Sequence, residues 1–270
     1  MVGISFNGRL GNQLFQYCFY LYLKSKNRHL NFFFPNPHHA YLEKYFELEN
    51  EDNLLIGSKI YSIVGRVFPK LISFRQVYVQ NFFAPKEHTP MDFTMYNGFF
   101  QSDFYYNQLA TPPLLNIKEN YKADFKTKFG AIFEHNKTVV VHIRRTDYLT
   151  YGKRDISLPV EYFQRQLNSI ENSQEYKIIF VSDDMEFVKS AFPAQSNYIY
   201  STNSEIIDFQ IIQHADIAII SNSTFAWWAT FLSPKQNHVI APKNWFGFRI
   251  GREHPKGIMT SRFDWRDVLE

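Results

Sequence analysis

The chain has 270 residues, 45% of them hydrophobic and 20% charged, with 29 basic against 26 acidic residues and a formal net charge of +3. This balance excludes a disordered chain and a broadly polycationic nucleic-acid binder, and the length allows one large domain or two small ones. The unusual quantity is an 18% aromatic share (28 Phe, 17 Tyr, 4 Trp), since aromatic rings fill cores but also line sugar and base pockets.

From the N-terminus, Val2 to Phe6 predicts a strand, Asn7 to Asn12 a turn carrying Gly8 and Gly11, and Gln13 to about Lys24 a helix. The turn lacks both the glycine spacing of a dinucleotide fingerprint and the lysine of a P-loop. No Lys/Arg-led apolar segment opens the sequence, and no stretch approaches the ~20 apolar residues of a membrane span. The expectation is a soluble, unprocessed, cytoplasmic chain, with peripheral contact to the inner face of an anionic membrane left open. Cys18, the single cysteine, allows no internal disulfide and reads as core packing. Asn136 and Asn222 begin Asn-x-Thr sequons, which without an export signal read as chance matches. From about residue 35 to 135 the pattern is poorer, broken by Pro35, Pro37, Pro69, Pro85, Pro90 and the pair Pro112 and Pro113. A composition change near Asn136 suggests a boundary between an N-terminal α/β domain, residues 1–136, and a more regular doubly wound domain, residues 137–270.

Beyond that point a regular grammar appears. Apolar runs at Thr138–Ile143, Lys177–Val181, Ile217–Ile220 and His238–Ala241 each end in polar or turn residues, and helical spacing follows several of them. In open parallel sheets the ligand crevice lies beyond the carboxyl ends of the strands, so residues far apart in sequence can converge there. Arg144 and Arg145 follow the first run with Asp147 close behind; two planar forks beside a carboxylate can grip a diphosphate, or simply form surface ion pairs. His142 shares a strand face with Arg144, although a lone histidine there more often sits satisfied in the core. Asp183 and Asp184 end the second run, placed to accept hydrogen bonds from a ribose or guanine edge, or to hold a divalent metal. Ser221, Asn222, Ser223 and Thr224 end the third run and open an apolar helical segment, an N-cap pattern whose amides suit an anion. No nucleophile elbow, paired-cysteine zinc pattern or His-Glu-x-x-His helix is present.

Five segments in this order, Gly8–Tyr17, His142–Tyr148, Phe180–Asp184, Asp208–Gln210 and Ser221–Ala229, resemble the bacterial-type α-1,2-fucosyltransferases. These are related to the blood-group fucosyltransferases and more distantly to the α-1,6- and protein O-fucosyltransferases. The resemblance spans almost the whole chain. It implies a GT-B-like α/β fold of two facing Rossmann-like domains with a cleft between them, the N-terminal one on the acceptor side. It also implies transfer of L-fucose from GDP-fucose, held by the C-terminal domain, to O2 of a terminal β-galactoside, with inversion and with neither metal nor cofactor. Carried over by motif, His142 shapes the guanine pocket, Arg144 binds the β-phosphate, Asp183 contacts the guanosine part, and Ser223 and Thr224 the diphosphate. Phe225 joins the donor-binding set while anchoring its helix with Trp227 and Trp228, and Asn12 reaches the diphosphate or the fucose. Arg145 and Asp147 brace the loop, and Asp147, Asp155 and Asp103 are candidates for the base. The sequence departs from the commonest family form at Thr146, where Gly is usual, and at Ala226, where Ser is usual. Two other readings are a non-catalytic sugar-nucleotide or glycan-binding module and a metal-dependent glycosyltransferase using Asp183 and Asp184. The Phe and Tyr excess between residues 31 and 106 is expected partly in the core and partly against the acceptor.

Overall fold

The computed structural model describes residues 1–35, 41–48, 58–79 and 82–269; Pro37 lies outside them. The chain divides into two compact units, residues 1–118 with 254–260, and residues 119–253 with 261–270.

The first unit carries a parallel sheet of β1 (Val2–Ile4), β2 (Phe32–Phe33), β4 (Arg75–Tyr78) and β5 (Thr94–Asn97) in the order β2-β1-β5-β4. Beside it, β3 (Phe46–Glu47) pairs antiparallel with β6 (Asn116–Ile117). Helix α1 (Leu10–Lys26) starts three residues earlier than the sequence predicts, because Gly8 takes φ +79° and turns the chain at once, leaving Arg9 as N-cap. Its length suits a sequence without proline or β-branched residues, with Lys24 and Lys26 in the last turn against the negative end of the helix dipole. Cys18 is buried in it, and burial pushes its thiol pKa up.

Aromatic rings make much of this unit's core. Phe19 stacks on Phe100 at 3.9 Å between centroids and meets Tyr105 edge-on at 4.8 Å. Phe32 and Phe34 both meet Tyr20 of α1, at 5.1 and 5.2 Å. Phe33, one residue out of phase, packs instead on Phe68 and Phe74. Phe68 belongs to α3 (Lys59–Leu71), whose first turn is capped by Ser58 Oγ accepting from Tyr61 N at 3.2 Å. Short helices α2 (Tyr41–Tyr45) and α4 (Phe104–Asn107) complete the unit.

The second unit begins at α5 (Glu119–His135), so the division lies at Lys118, not near Asn136 as the composition suggested. The helix belongs here because it packs on α8 (Glu205–Gln213): Phe125 stacks on His214, just past α8, at 4.7 Å, and Gln210 Nε2 donates to Tyr121 O at 3.1 Å. The change at residue 136 marks instead the start of a fully buried strand. Residues 254–260 return to the first unit, with His254 packed against Phe82 at 5.1 Å.

Six parallel strands form the sheet of this unit: β7 (Thr138–Ile143), β8 (Lys177–Ser182), β9 (Tyr198–Tyr200), β10 (Ile217–Ile220), β11 (His238–Pro242) and β12 (Asp264–Arg266). Their spatial order is β12-β11-β10-β7-β8-β9. Counted from β7 this is the 3-2-1-4-5-6 order of doubly wound nucleotide-binding sheets, so the winding reverses between β7 and β10. The crossovers include α6 (Val160–Asn168), α7 (Met185–Ala191), α8 and α9 (Thr224–Phe231). All four strands predicted after residue 136 are present, within one residue at their ends. They are buried on both faces, as parallel strands covered by helices are. Val139, Val141 and Ile143 pack with Tyr162, Phe163 and Leu167, each apolar side chain worth about 1.5–3 kcal/mol when fully buried.

Candidate active site

At the reversal point, Ile220 of β10 lies opposite His142 of β7, so the chain leaves both strands side by side at their carboxyl ends. His142, Arg144, Asp147, Asp183, Ser223, Thr224 and Phe225 lie on these two exits, on the end of the adjacent β8 or in the first turn of α9. Asn12 lies in the first unit, in the opening turn of α1, where its Oδ1 accepts from Gln101 Nε2 at 2.9 Å. A side chain at Gly8 would run into Asn12, so glycine is needed there for space as well as for its φ.

The β7 exit is a clasp of charges. Arg144 Nη2 donates to Asp147 Oδ2 at 2.8 Å, and Arg144 Nη1 lies 3.2 Å from Asp183 Oδ2, with the Arg144 and Asp183 side chains each only 18% exposed. Asp183 also accepts from the backbone N–H of Arg145 at 2.8 Å, from that of Thr146 at 3.2 Å, and from the Thr146 hydroxyl. Burial alone would raise the Asp183 pKa, but the Thr146 hydrogen bond and Arg144 hold it below the usual carboxylate range. Burial likewise works against the charge of Arg144, and Asp147 and Asp183 outweigh it and raise its pKa. Neighbouring Arg145 pairs separately, its Nε 3.2 Å from Asp184 Oδ2 and its guanidinium 3.9 Å above the Phe187 ring. Asp184 at the same time caps α7, accepting from Phe187 N at 3.1 Å.

Asp183 and Asp184 thus serve different arginines and different backbone amides. No group of three or more His, Cys, Asp or Glu suited to a metal ion occurs among the described residues.

His142 is buried, its Nδ1 2.9 Å from Ser221 Oγ, and burial together with Arg144 pushes its pKa down to about 3. The imidazole is therefore neutral near pH 7. Half-buried Phe225 sits between it and Phe209, at 6.1 and 5.3 Å, while Trp227 and Trp228 are fully buried. Ser223 is the N-cap of α9 by position, yet its side chain makes no capping hydrogen bond; it bonds instead with the Tyr148 hydroxyl. Thr224 opens the helix, whose first-turn amides begin at the strand end, the arrangement that favours anions. Asn222 is fully buried, which removes it as a glycosylation site; its Nδ2 donates to Ile156 O at 2.8 Å, and its Oδ1 finds no donor among the described residues.

Sequence reasoning gave Tyr148 and Thr146 no role. The Tyr148 hydroxyl donates to Asn222 O at 3.2 Å, tying the β7 exit to the β10 exit, and its ring lies 5.7 Å from the Arg144 guanidinium. Thr146, a departure from the usual glycine, adds a hydroxyl to the Asp183 clasp. Of the candidate bases, Asp147 is 47% exposed and bound to Arg144, and Asp155 Oδ1 accepts from Ser157 N and Oγ at 2.8 and 2.6 Å. Asp103 lies in the first unit at the start of α4, without a capping bond from its side chain.

The sequence profile of glycosyl transferase family 11 matches residues 1–254. The O-antigen biosynthesis glycosyltransferase WbnK of Escherichia coli is 34% identical over 146 residues, 50% of this chain and 48% of that protein, so the match spans about half the relative's length. An alpha-1,2-colitosyltransferase of Escherichia coli is 25% identical over 280 residues, covering 88% of this chain and 90% of that one. Among solved structures, fucosyltransferase NodZ from Bradyrhizobium superposes with a TM-score of 0.55 at 11% identity, over 86% of this chain and 93% of NodZ, and NodZ has been co-crystallised with GDP. At that identity the likeness speaks for the fold alone, which is the two-domain GT-B type. With the profile covering all but the last residues, the chain belongs to glycosyl transferase family 11.

Proposed function

We propose that this chain moves L-fucose from GDP-fucose to O2 of a terminal β-galactoside, with inversion and without a metal. The observation that carries the reading is the convergence of the Arg144 clasp and the N-terminus of α9 at the point where the winding of the sheet reverses. Arg144 binds the β-phosphate, Ser223, Thr224 and the α9 amides take the rest of the diphosphate, and neutral His142 with Phe225 forms a wall of the guanine pocket. Asp183 spends its oxygens on the loop and acts mainly as the residue that positions Arg144.

Cleavage of the bond between the fucose anomeric carbon and the β-phosphate oxygen builds positive charge on the sugar and negative charge on GDP. A guanidinium already fixed on that phosphate stabilises the transition state more than the ground state. Two of its five N–H donors face Asp147 and Asp183, leaving donors for phosphate oxygens. The acceptor O2 attacks the opposite face of the anomeric carbon and loses its proton late, so a weak base suffices. Support for an acceptor site in the first unit comes from a cavity of about 620 Å³ there, walled by Tyr78, Phe83, Tyr96, Phe100 and Tyr105, rings suited to sugar faces.

The test is to incubate the protein in EDTA with GDP-fucose or GDP-colitose and a panel of β-galactosides, and to read the product linkage by NMR. An α-1,2-fucosylated product is expected. Transfer that stops on chelation and returns with manganese supports a metal-dependent enzyme, and GDP binding without turnover on any galactoside supports a binding module.

A further inference from the structure

Helix α3 carries two apolar faces, and the described residues pack on one. Positions 61, 65 and 68 face inward: the Tyr61 hydroxyl accepts from Phe34 N at 2.9 Å, Gly65 lies against Pro35 and Phe34, and Phe68 packs on Phe33 and Phe74. Ile60, Ile63, Val64, Val67 and Leu71 follow the spacing of a second strip roughly 100° wide, and each is between 48% and 77% exposed. A crossover helix ordinarily turns its widest apolar strip to the sheet; here that strip faces away. Lys59, at the start of the helix, is exposed one residue before Ile60, and the helix sequence has three basic residues and no acidic one.

We propose that α3 is a membrane-surface helix, lying in the plane of an anionic bilayer with Ile60, Ile63, Val64, Val67 and Leu71 among the acyl chains and Lys59 at the headgroups. Its 13 residues are too few to span a membrane, and no described helix is long and apolar enough to cross one. An apolar strip flanked by lysine and arginine is the pattern of helices that lie at the interface. The charge also selects the occupant. Two copies of α3 packed on each other would bring together two helices that each carry three basic residues and no acidic one, whereas anionic headgroups supply the offsetting charge.

The full-length protein is sedimented with vesicles of phosphatidylglycerol and phosphatidylcholine, and with vesicles of phosphatidylcholine alone. Wild type is expected to bind the mixed vesicles strongly, the neutral ones weakly, and to be released by salt. The double variant Ile63→Gln/Val67→Gln should bind about 100-fold more weakly, at roughly tenfold per buried side chain. Lys59→Gln should bind about fivefold more weakly and show a smaller salt effect. Both variants should keep the wild-type affinity for GDP, which reports an intact second unit, and an unchanged far-UV circular dichroism spectrum. Wild type that ignores both vesicle types overturns the proposal, as does equal binding by the double variant. A wild-type dimer that dissociates in the double variant, without vesicle binding, also overturns it and assigns the strip to a second copy.

Discussion

Asp147 illustrates how a residue's neighbours set its duty. On the proposed function, Asp147 acts through Arg144, whose Nη2 donates to its Oδ2 at 2.8 Å. Asp147→Asn should therefore lower kcat about tenfold, the worth of one charge-assisted hydrogen bond that orients Arg144, and leave the pH profile of kcat unmoved. A lost acidic limb in that profile, the fall at low pH that protonation of a base causes, would make Asp147 the base. The residues of this clasp were only half legible in the sequence. His142, Arg144 and Asp183 announced themselves because a β-branched run ends there and strand ends are where ligands bind. Tyr148 and Thr146 did not, since their partners, Asn222 and Asp183, lie 74 and 37 residues away and only the sheet order brings them near.

At the scale of elements, β7 and α8 contribute opposite responses to acid. Burial, against the Ser201 hydrogen bond, raises the pKa of Asp208 on α8 to about 7, above an unfolded value near 3.9. Its stabilising contribution is thus complete below the unfolded pKa and is lost as pH rises through 7. His142 on β7 behaves in reverse: with a folded pKa of about 3 against about 6.5 unfolded, its contribution is present above 6.5 and lost as pH falls. Between pH 4 and 6.5 each changes stability by up to about 1.4 kcal/mol per pH unit, and the two oppose one another. Asp208→Asn removes one side of this balance. Its melting temperature should fall more steeply than that of wild type as the pH is lowered from 6.5 to 4, and exceed wild type by the largest margin near pH 8. Parallel curves for the two proteins would show that Asp208 is not held protonated. The motif around Asp208 was recognisable in sequence, but its local duties were not: Gln210 holds α5 and Asp208 bonds Ser201, contacts that no spacing rule encodes.

Across the whole molecule, what was legible followed from periodicity. The second unit repeats buried strands ending in polar residues, and four of its six strands appear within one residue of the expected ends, while the short β9 and β12 left no such signal. The first unit resisted because its sheet strands are two to four residues long and its core is held by ring-on-ring contacts, such as Phe19 on Phe100, that leave no regular spacing. The unit boundary was misread for a related reason: α5 is polar enough to resemble a linker, with only Phe125 and Phe129 buried, and its allegiance shows only in its contact with α8. The central claim is that this second unit presents Arg144 to the β-phosphate of a GDP-linked sugar. It is tested most directly by comparing wild type with Arg144→Ala for fucose transfer under saturating GDP-fucose and acceptor, with GDP affinity measured by calorimetry on the same samples. The prediction is that kcat falls roughly 100- to 1000-fold, as for loss of one preorganised donor, while GDP binds more weakly to a protein with unchanged circular dichroism. Transfer at the wild-type rate, or GDP bound with undiminished affinity, would contradict it.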